Sequence, residues 1–244
     1  MVGGHPPKAR LECLRVGSYY SFMQTLLFDI DGTLVRTNGA GKAAMESALR
    51  TAFGITEIRD EVPYSGRTDP AIGHDLLRVH GVESTPENYR KLSEAYLGQL
   101  PHCLNTYQGE ALPGVTLLLK QLAANKRHKL GLLTGNVRVG AKHKLNHFGL
   151  WDYFPFGGFG DDHRDRDDVA RAALAAAGPG VEPSAVWVIG DTPLDVKCAR
   201  AIGAKVVAVA TGWHPYDELM ETGADSVLHT LEDFDALPAS WFAK

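Results

Sequence analysis

Two aspartates one residue apart, in Asp29-Ile30-Asp31-Gly32-Thr33, follow directly on the apolar run Leu26-Leu27-Phe28. A carboxylate pair at the end of a buried strand stands where open α/β sheets bind their ligands. Two further apolar runs stop in the same manner. Leu130-Gly131-Leu132-Leu133 runs into Thr134-Gly135-Asn136, and Val186-Trp187-Val188-Ile189 runs into Gly190-Asp191-Thr192-Pro193-Leu194-Asp195. A strand that breaks at Thr-Gly before a helix supplies a hydroxyl and free backbone N–H groups, the usual means of holding a phosphate. Taken one at a time, these segments also read as an Asp-Gly turn and ordinary helix caps. Three buried strands ending in small or acidic polar groups would gather them at one edge of a fold.

Such a gathering needs a parallel sheet. Strands are expected at residues 25–30, 129–133, 154–158, 185–189, 204–210 and 225–228, with helices between them at about 114–126, 137–148, 165–177, 193–202 and 215–223. Several of the strands are apolar at consecutive positions, as expected when helices cover both faces of the sheet. Strand and helix in repeated order predict a doubly wound, Rossmann-like α/β domain. Residues 39–104 break the alternation and read as helices only, at 41–53, 70–80 and 86–99, with turn signals at Gly54, Gly66, Gly81 and Pro101. The expected organisation is a core of residues 23–38 and 105–244, an all-helical cap of residues 39–104 inserted into it, and residues 1–22 as an extension outside the fold.

Composition narrows the partners. The 244 residues are 44% apolar and 22% charged with a net charge of −4, the signs mixed along the chain, so no basic face calls for nucleic acid. No apolar stretch approaches the length of a membrane span, and residues 1–22 lack the apolar run of a secretion signal. Cys13, Cys103 and Cys198 show neither a CxxC nor a zinc spacing, which suits a reducing compartment, and the cytoplasm is the expected location. A small-molecule phosphoester is the expected partner, with neither nucleic acid nor membrane.

The order and spacing of these segments resemble the haloacid dehalogenase superfamily of phosphotransferases, over residues 24–235. Asp29-Ile30-Asp31-Gly32-Thr33 is similar to its first motif, Thr134 to its second, and Gly190-Asp191-Thr192-Pro193-Leu194-Asp195 to its fourth. Within the superfamily, Ser65-Gly66-Arg67-Thr68-Asp69-Pro70 resembles a cap segment of the phosphoglycolate-phosphatase-like members. One departure stands out. The third motif, usually a lysine before a proline just ahead of a helix, is replaced by Gly160-Asp161-Asp162-His163-Arg164-Asp165-Arg166-Asp167-Asp168, which holds no lysine. An arginine binds phosphate oxygens in two-pronged fashion, so Arg166, next to the helix start, is the favoured substitute over Arg164, with Lys197 the next candidate.

The resemblance implies a chemistry. Asp29, Asp31, Asp191 and Asp195 would crowd one edge, and two carboxylates about 4 Å apart repel by about 4 kcal/mol at an effective dielectric near 20. All-oxygen ligands beside an incoming phosphate suit Mg²⁺. By resemblance its ligands are Asp29, the backbone carbonyl of Asp31, and Asp191, with Asp195 supporting nearby. Asp29 would be the nucleophile and Asp31 the general acid and base. The acid at position 31 argues against dehalogenation. Thr134, Gly135 and the arginine would hold the phosphoryl group, with Gly32, Thr33 and Asn136 also against the substrate. Arg67 and Thr68 would reach the leaving group from the cap, unless they form only a surface turn before the next helix. The expected function is a Mg²⁺-dependent phosphomonoesterase acting on a small ester, phosphoglycolate among the candidates. A sugar phosphomutase and a non-catalytic phospholigand-binding protein fit the same scaffold.

Overall fold

The computed structural model describes residues 23–242, so the expected N-terminal extension lies outside the described residues. Six parallel strands form the central sheet: β1 (Gln24–Phe28), β4 (His128–Leu133), β5 (Phe156–Gly158), β6 (Val186–Gly190), β7 (Lys205–Val209) and β8 (Ser226–Leu228). They stand in the order β5-β4-β1-β6-β7-β8. The crossovers are the helices α4 (Val115–Ala124), α5 (Arg138–His147), α6 (Arg166–Ala176), α7 (Pro193–Ala201) and α8 (Tyr216–Glu221). Each of these elements begins and ends within two residues of the expected bounds. Side chains of a strand alternate between faces, so Leu26 and Phe28 pack on α4 and α5 through Leu118, Leu119, Leu122, Ala141 and Leu145, whereas Leu27 packs on α6 and α7 through Val169, Ala173, Val196 and Ala199. Both faces are buried, which is why these strands read as unbroken apolar runs.

The helical interval is α1 (Ala40–Phe53), α2 (Asp69–Val79) and α3 (Pro86–Tyr107). The three surround an apolar cluster of their own, with Leu49, Leu76, Leu77, Leu92, Tyr96 and Leu100 at its centre and Val137, at the start of α5, joining it from the core side. The expectation for α3 needs correction. Pro101 does not end it, and the boundary expected after residue 104 falls inside the helix, which runs to Tyr107. A proline removes one helical hydrogen bond and crowds the preceding turn. Here Leu100, Cys103 and Leu104 are buried on either side of it, and their packing holds the last two turns helical.

The chain leaves and re-enters the core through a two-stranded antiparallel ribbon of β2 (Val35–Arg36) and β3 (Glu110–Ala111), elements too short to have been read from a pattern. Asn38 and Gln108, which flank it, are the two non-glycine residues with positive φ among the described residues.

Candidate active site

Parallel register brings the three motif-bearing strands level. Phe28 stands opposite Leu132 on one side and Ile189 on the other, so Asp29, Thr134 and Asp191 emerge together at the carboxyl edge. Asp29, Asp191 and Asp195 are buried, and one carboxylate oxygen of each lies within 4.8 Å of the others. Burial, and against it the attraction of Arg166, sets the Asp29 carboxyl, pushed up to about 6, with Asp195 and Asp31 adding to the rise. Burial together with the charges of Asp195 and Asp29 holds Asp191 well above the usual carboxylate range. A single buried cation, Arg166, faces these three carboxylates, and a hard divalent cation would relieve the remaining excess of negative charge.

Backbone geometry makes room for Asp191. Gly32 has φ +83°, and a Cβ on it would stand 2.3 Å from Asp191 Oδ2. Gly212 is tighter still: a Cβ there would reach within 1.6 Å of the same oxygen. Thr33 donates its hydroxyl to Asp191 Oδ1 at 3.3 Å. Asp195, by contrast, is already committed. Its Oδ2 accepts from the backbone N–H and the hydroxyl of Thr192 at 3.0 and 2.8 Å, closing the cap of α7, and its Oδ1 meets Arg166. Among the expected metal residues, Asp195 therefore shapes the cluster while its own oxygens are engaged.

Arg166 is the buried cation of the site. Its Nη2 lies 3.1 Å from Asp29 Oδ2 and bonds Asp195 Oδ1, its Nη1 donates to the Gly66 carbonyl at 3.2 Å, and its Nε has no partner among the described residues. Burial works against its charge, but Asp195 and Asp29 outweigh it and keep the guanidinium protonated. Arg164, two residues earlier, turns the other way: Nη2 lies 2.7 Å from His74 Nε2 in α2, and its carbonyl accepts from Thr68. Lys197 is largely exposed and pairs with Asp167 at 3.5 Å. Of the three cations that the sequence ranked, only Arg166, the favoured one, touches the carboxylate cluster.

Thr134 is buried, and its Oγ1 accepts from Asn136 Nδ2 at 2.9 Å. Asn136 Nδ2 also donates to Asp31 Oδ2 at 2.9 Å. Gly135 packs under the backbone of Arg67 and Thr68, its carbonyl accepting from the Asp69 N–H at 2.8 Å, which docks the start of α2 on the core. Thr68 caps that helix, accepting from the Ala71 N–H, and does not face the cluster. Its hydroxyl is engaged in the turn and in the bond to the Arg164 carbonyl. Arg67 lines the cavity between helices and core but is held by Asp75, at 2.5 Å, and by the Pro63 carbonyl.

That cavity, about 900 Å³, runs from Asp29, Asp31, Asp191 and Arg166 up to Met45, Ile72 and Tyr96 of the helical interval. Two contributors escaped the sequence reading. Lys144 of α5 is buried, its Nζ 2.5 Å from Asp31 Oδ2 and 2.7 Å from Asn136 Oδ1. Asp69, raised to about 6 by burial against the opposing charge of Lys144, accepts from the Val137 N–H at 2.9 Å. A signal for the first was present: Lys144 occupies an inward position of α5, beside Gly140, Ala141 and Leu145, where an apolar residue is the rule.

Comparison with known proteins agrees with this architecture. Residues 26–209 match the haloacid dehalogenase-like hydrolase family. The chain is 32% identical over 213 residues to a phosphoglycolate phosphatase of Synechococcus elongatus, covering 86% of this chain and 95% of that one. It is 28% identical over 219 residues to phosphoglycolate phosphatase 1 of Pseudomonas aeruginosa, covering 85% and 77%. Among solved structures, CbbY from Rhodobacter sphaeroides in complex with phosphate superposes with a TM-score of 0.74 at 18% identity, over 91% of this chain and all of that one, a likeness of fold. The chain belongs to the haloacid dehalogenase-like hydrolase family, among its phosphoglycolate-phosphatase-like members.

Proposed function

We propose that the protein is a Mg²⁺-dependent phosphomonoesterase that works through an aspartyl-phosphate on Asp29. The observation that carries the reading is the buried trio of Asp29, Asp191 and Asp195 beside Arg166, opening on a cavity that Asp31 also lines. Asp29 and Asp191, with the backbone at Asp31, would hold the metal; the all-oxygen donor set and the glycine-lined approach to Asp191 fit a small hard cation. Bound Mg²⁺ supplies positive charge that offsets both the carboxylates and the phosphoryl oxygens. The chain's own residues do the rest.

The Asp29 carboxylate attacks phosphorus, and the bond from phosphorus to the ester oxygen breaks. Asp31, its side chain half-exposed to the cavity, passes a proton to the departing alcohol oxygen. Asp31, now ionised, takes a proton from water as that water attacks the phosphoryl group, the bond to Asp29 breaks, and inorganic phosphate leaves. Arg166 holds Asp29 in line and meets the charge that spreads over the phosphoryl oxygens, a transfer governed by positioning and electrostatics. Thr134 and the Gly135 amide complete the phosphoryl cradle. The helical interval acts as a cap that shields the reaction from water. The substrate class is a small phosphoester, and phosphoglycolate, which names two of the relatives, is the first to try. Buried, unpaired Cys103 and Cys198 support a site of action in the reducing cytoplasm.

Asp29→Asn tests the reading. The side-chain volume is kept and the nucleophile is lost, so phosphate release should fall below about 1% of the parent rate while the fold persists. Release near the parent rate would remove Asp29 from the mechanism.

A further inference from the structure

We propose that Lys144 is a positioning residue for Asp31: together with Asn136 it clamps one oxygen of that carboxylate so that the other is presented to the leaving group and to water. The inference rests on the reading of Asp31 as proton donor and acceptor, and adds to it a residue that none of the four motif segments contains.

The geometry is a closed ring of three side chains. Lys144 Nζ donates to Asp31 Oδ2 at 2.5 Å and to Asn136 Oδ1 at 2.7 Å, and Asn136 Nδ2 donates to the same Asp31 oxygen at 2.9 Å. Both contacts to Asp31 fall on Oδ2, so Oδ1 is the oxygen left to carry a proton. The ring is anchored. Asn136 Nδ2 also reaches Thr134 Oγ1 at 2.9 Å, which ties the clamp to the end of β4, and Lys144 is buried on α5 beside Gly140, Ala141 and Leu145.

Asn136, just ahead of α5, and Lys144, within it, lie eight residues apart, whereas Asp31 follows the end of β1, and the side chains differ in exposure. Asp31 keeps 42% of its side-chain surface, whereas Lys144 keeps 6%. A lysine among the inward-facing positions of a helix loses its hydration and is retained only with full pairing. An aspartate just ahead of the turn at Gly32, with nearly half its surface free, would otherwise sample several rotamers, and proton transfer tolerates little angular error. A buried ammonium and a carboxamide acting on one oxygen select one of them.

The test uses the full chain with Mg²⁺ and two esters: p-nitrophenyl phosphate, whose leaving group departs without a proton, and glycerol phosphate, whose alkoxide needs one. The readout is kcat/KM, which reports the steps up to release of the alcohol. Lys144→Met is expected to lower kcat/KM for glycerol phosphate about 30-fold or more while that for the aryl ester stays within about threefold, because only the first requires an oriented acid. Lys144→Arg should recover part of the loss, and Asp31→Asn should show the same split with no further loss in the double variant. If Asp31→Asn shows the split and Lys144→Met lowers both esters equally, or neither, the positioning role is overturned and Asp31 keeps its own. If Asp31→Asn shows no split, the acid role fails and the clamp with it. Should Lys144→Met not fold, Lys144→Gln keeps a polar head group without the charge, and the absence of the same split there counts against the proposal.

Discussion

Removing the guanidinium of Arg166 is the perturbation that bears most directly on the altered third motif. At 3.1 Å from Asp29, its direct attraction to that carboxylate alone is about 5 kcal/mol at an effective dielectric near 20, with a second contact to Asp195 at similar range. Arg166→Ala leaves three buried carboxylates facing one another, and breaking one side of a buried pair costs about 3–5 kcal/mol. For a domain of this size that is a fall in Tm of about 10 °C, measured in EDTA. Mg²⁺ binding to the same carboxylates should reduce the deficit, since a ligand that favours the folded state stabilises it by mass action. Turnover should fall further than stability, by about 10² to 10³ in kcat, the loss seen when one preorganised contact to a transition state is removed. Arg166→Lys keeps the charge but not the fork and should recover part of it. Arg164→Ala, which acts on His74, and Lys197→Ala, which frees only an exposed pair, should be mild. A variant Arg166→Ala with a rate within about threefold of the parent and an unchanged Tm would refute the assignment, because no buried cation can be removed from such a cluster without consequence.

Chelation should abolish phosphate release and Mg²⁺ restore it, because the carboxylate trio otherwise repels a phosphate dianion; full activity in EDTA would exclude the metal reading. Asp69 gives a pH signature in stability. Its carboxyl, at about 6 in the folded protein against an ordinary 3.8, binds its proton more tightly when folded, so its contribution to stability is present below about pH 4 and lost as pH rises through 6. Asp69→Asn keeps an oxygen for the Val137 N–H and removes the buried charge. It should raise Tm relative to the parent at pH 8 by the equivalent of about 3 kcal/mol and change it little at pH 4, checked by thermal melts across that range.

Much of this protein was legible before folding. Consecutive apolar residues at 26–28, 130–133 and 186–189 specified strands buried on both faces, and a sheet of that kind is parallel and brings its carboxyl ends together. That is enough to place Asp29, Thr134 and Asp191 on one edge. The choice among cations was legible only as a ranking: Arg166 was favoured for its place next to the helix start, but Arg164, Arg166 and Lys197 are equally charged and the spacing of a loop does not fix where it turns. Only the start of α6 at Arg166, with Asp165 as its cap, directs that side chain inward and Arg164 toward α2. The extent of α3 escaped for a related reason: Pro101 is a strong local signal, and burial of the residues around it overrides that signal. Lys144 was hidden most completely. Nothing local pairs it with Asp31, more than a hundred residues away, and the ring with Asn136 exists only once α5 packs against the sheet edge that carries both. Periodicity reports which face of an element is buried, and it carries no record of what a polar group on that face meets there.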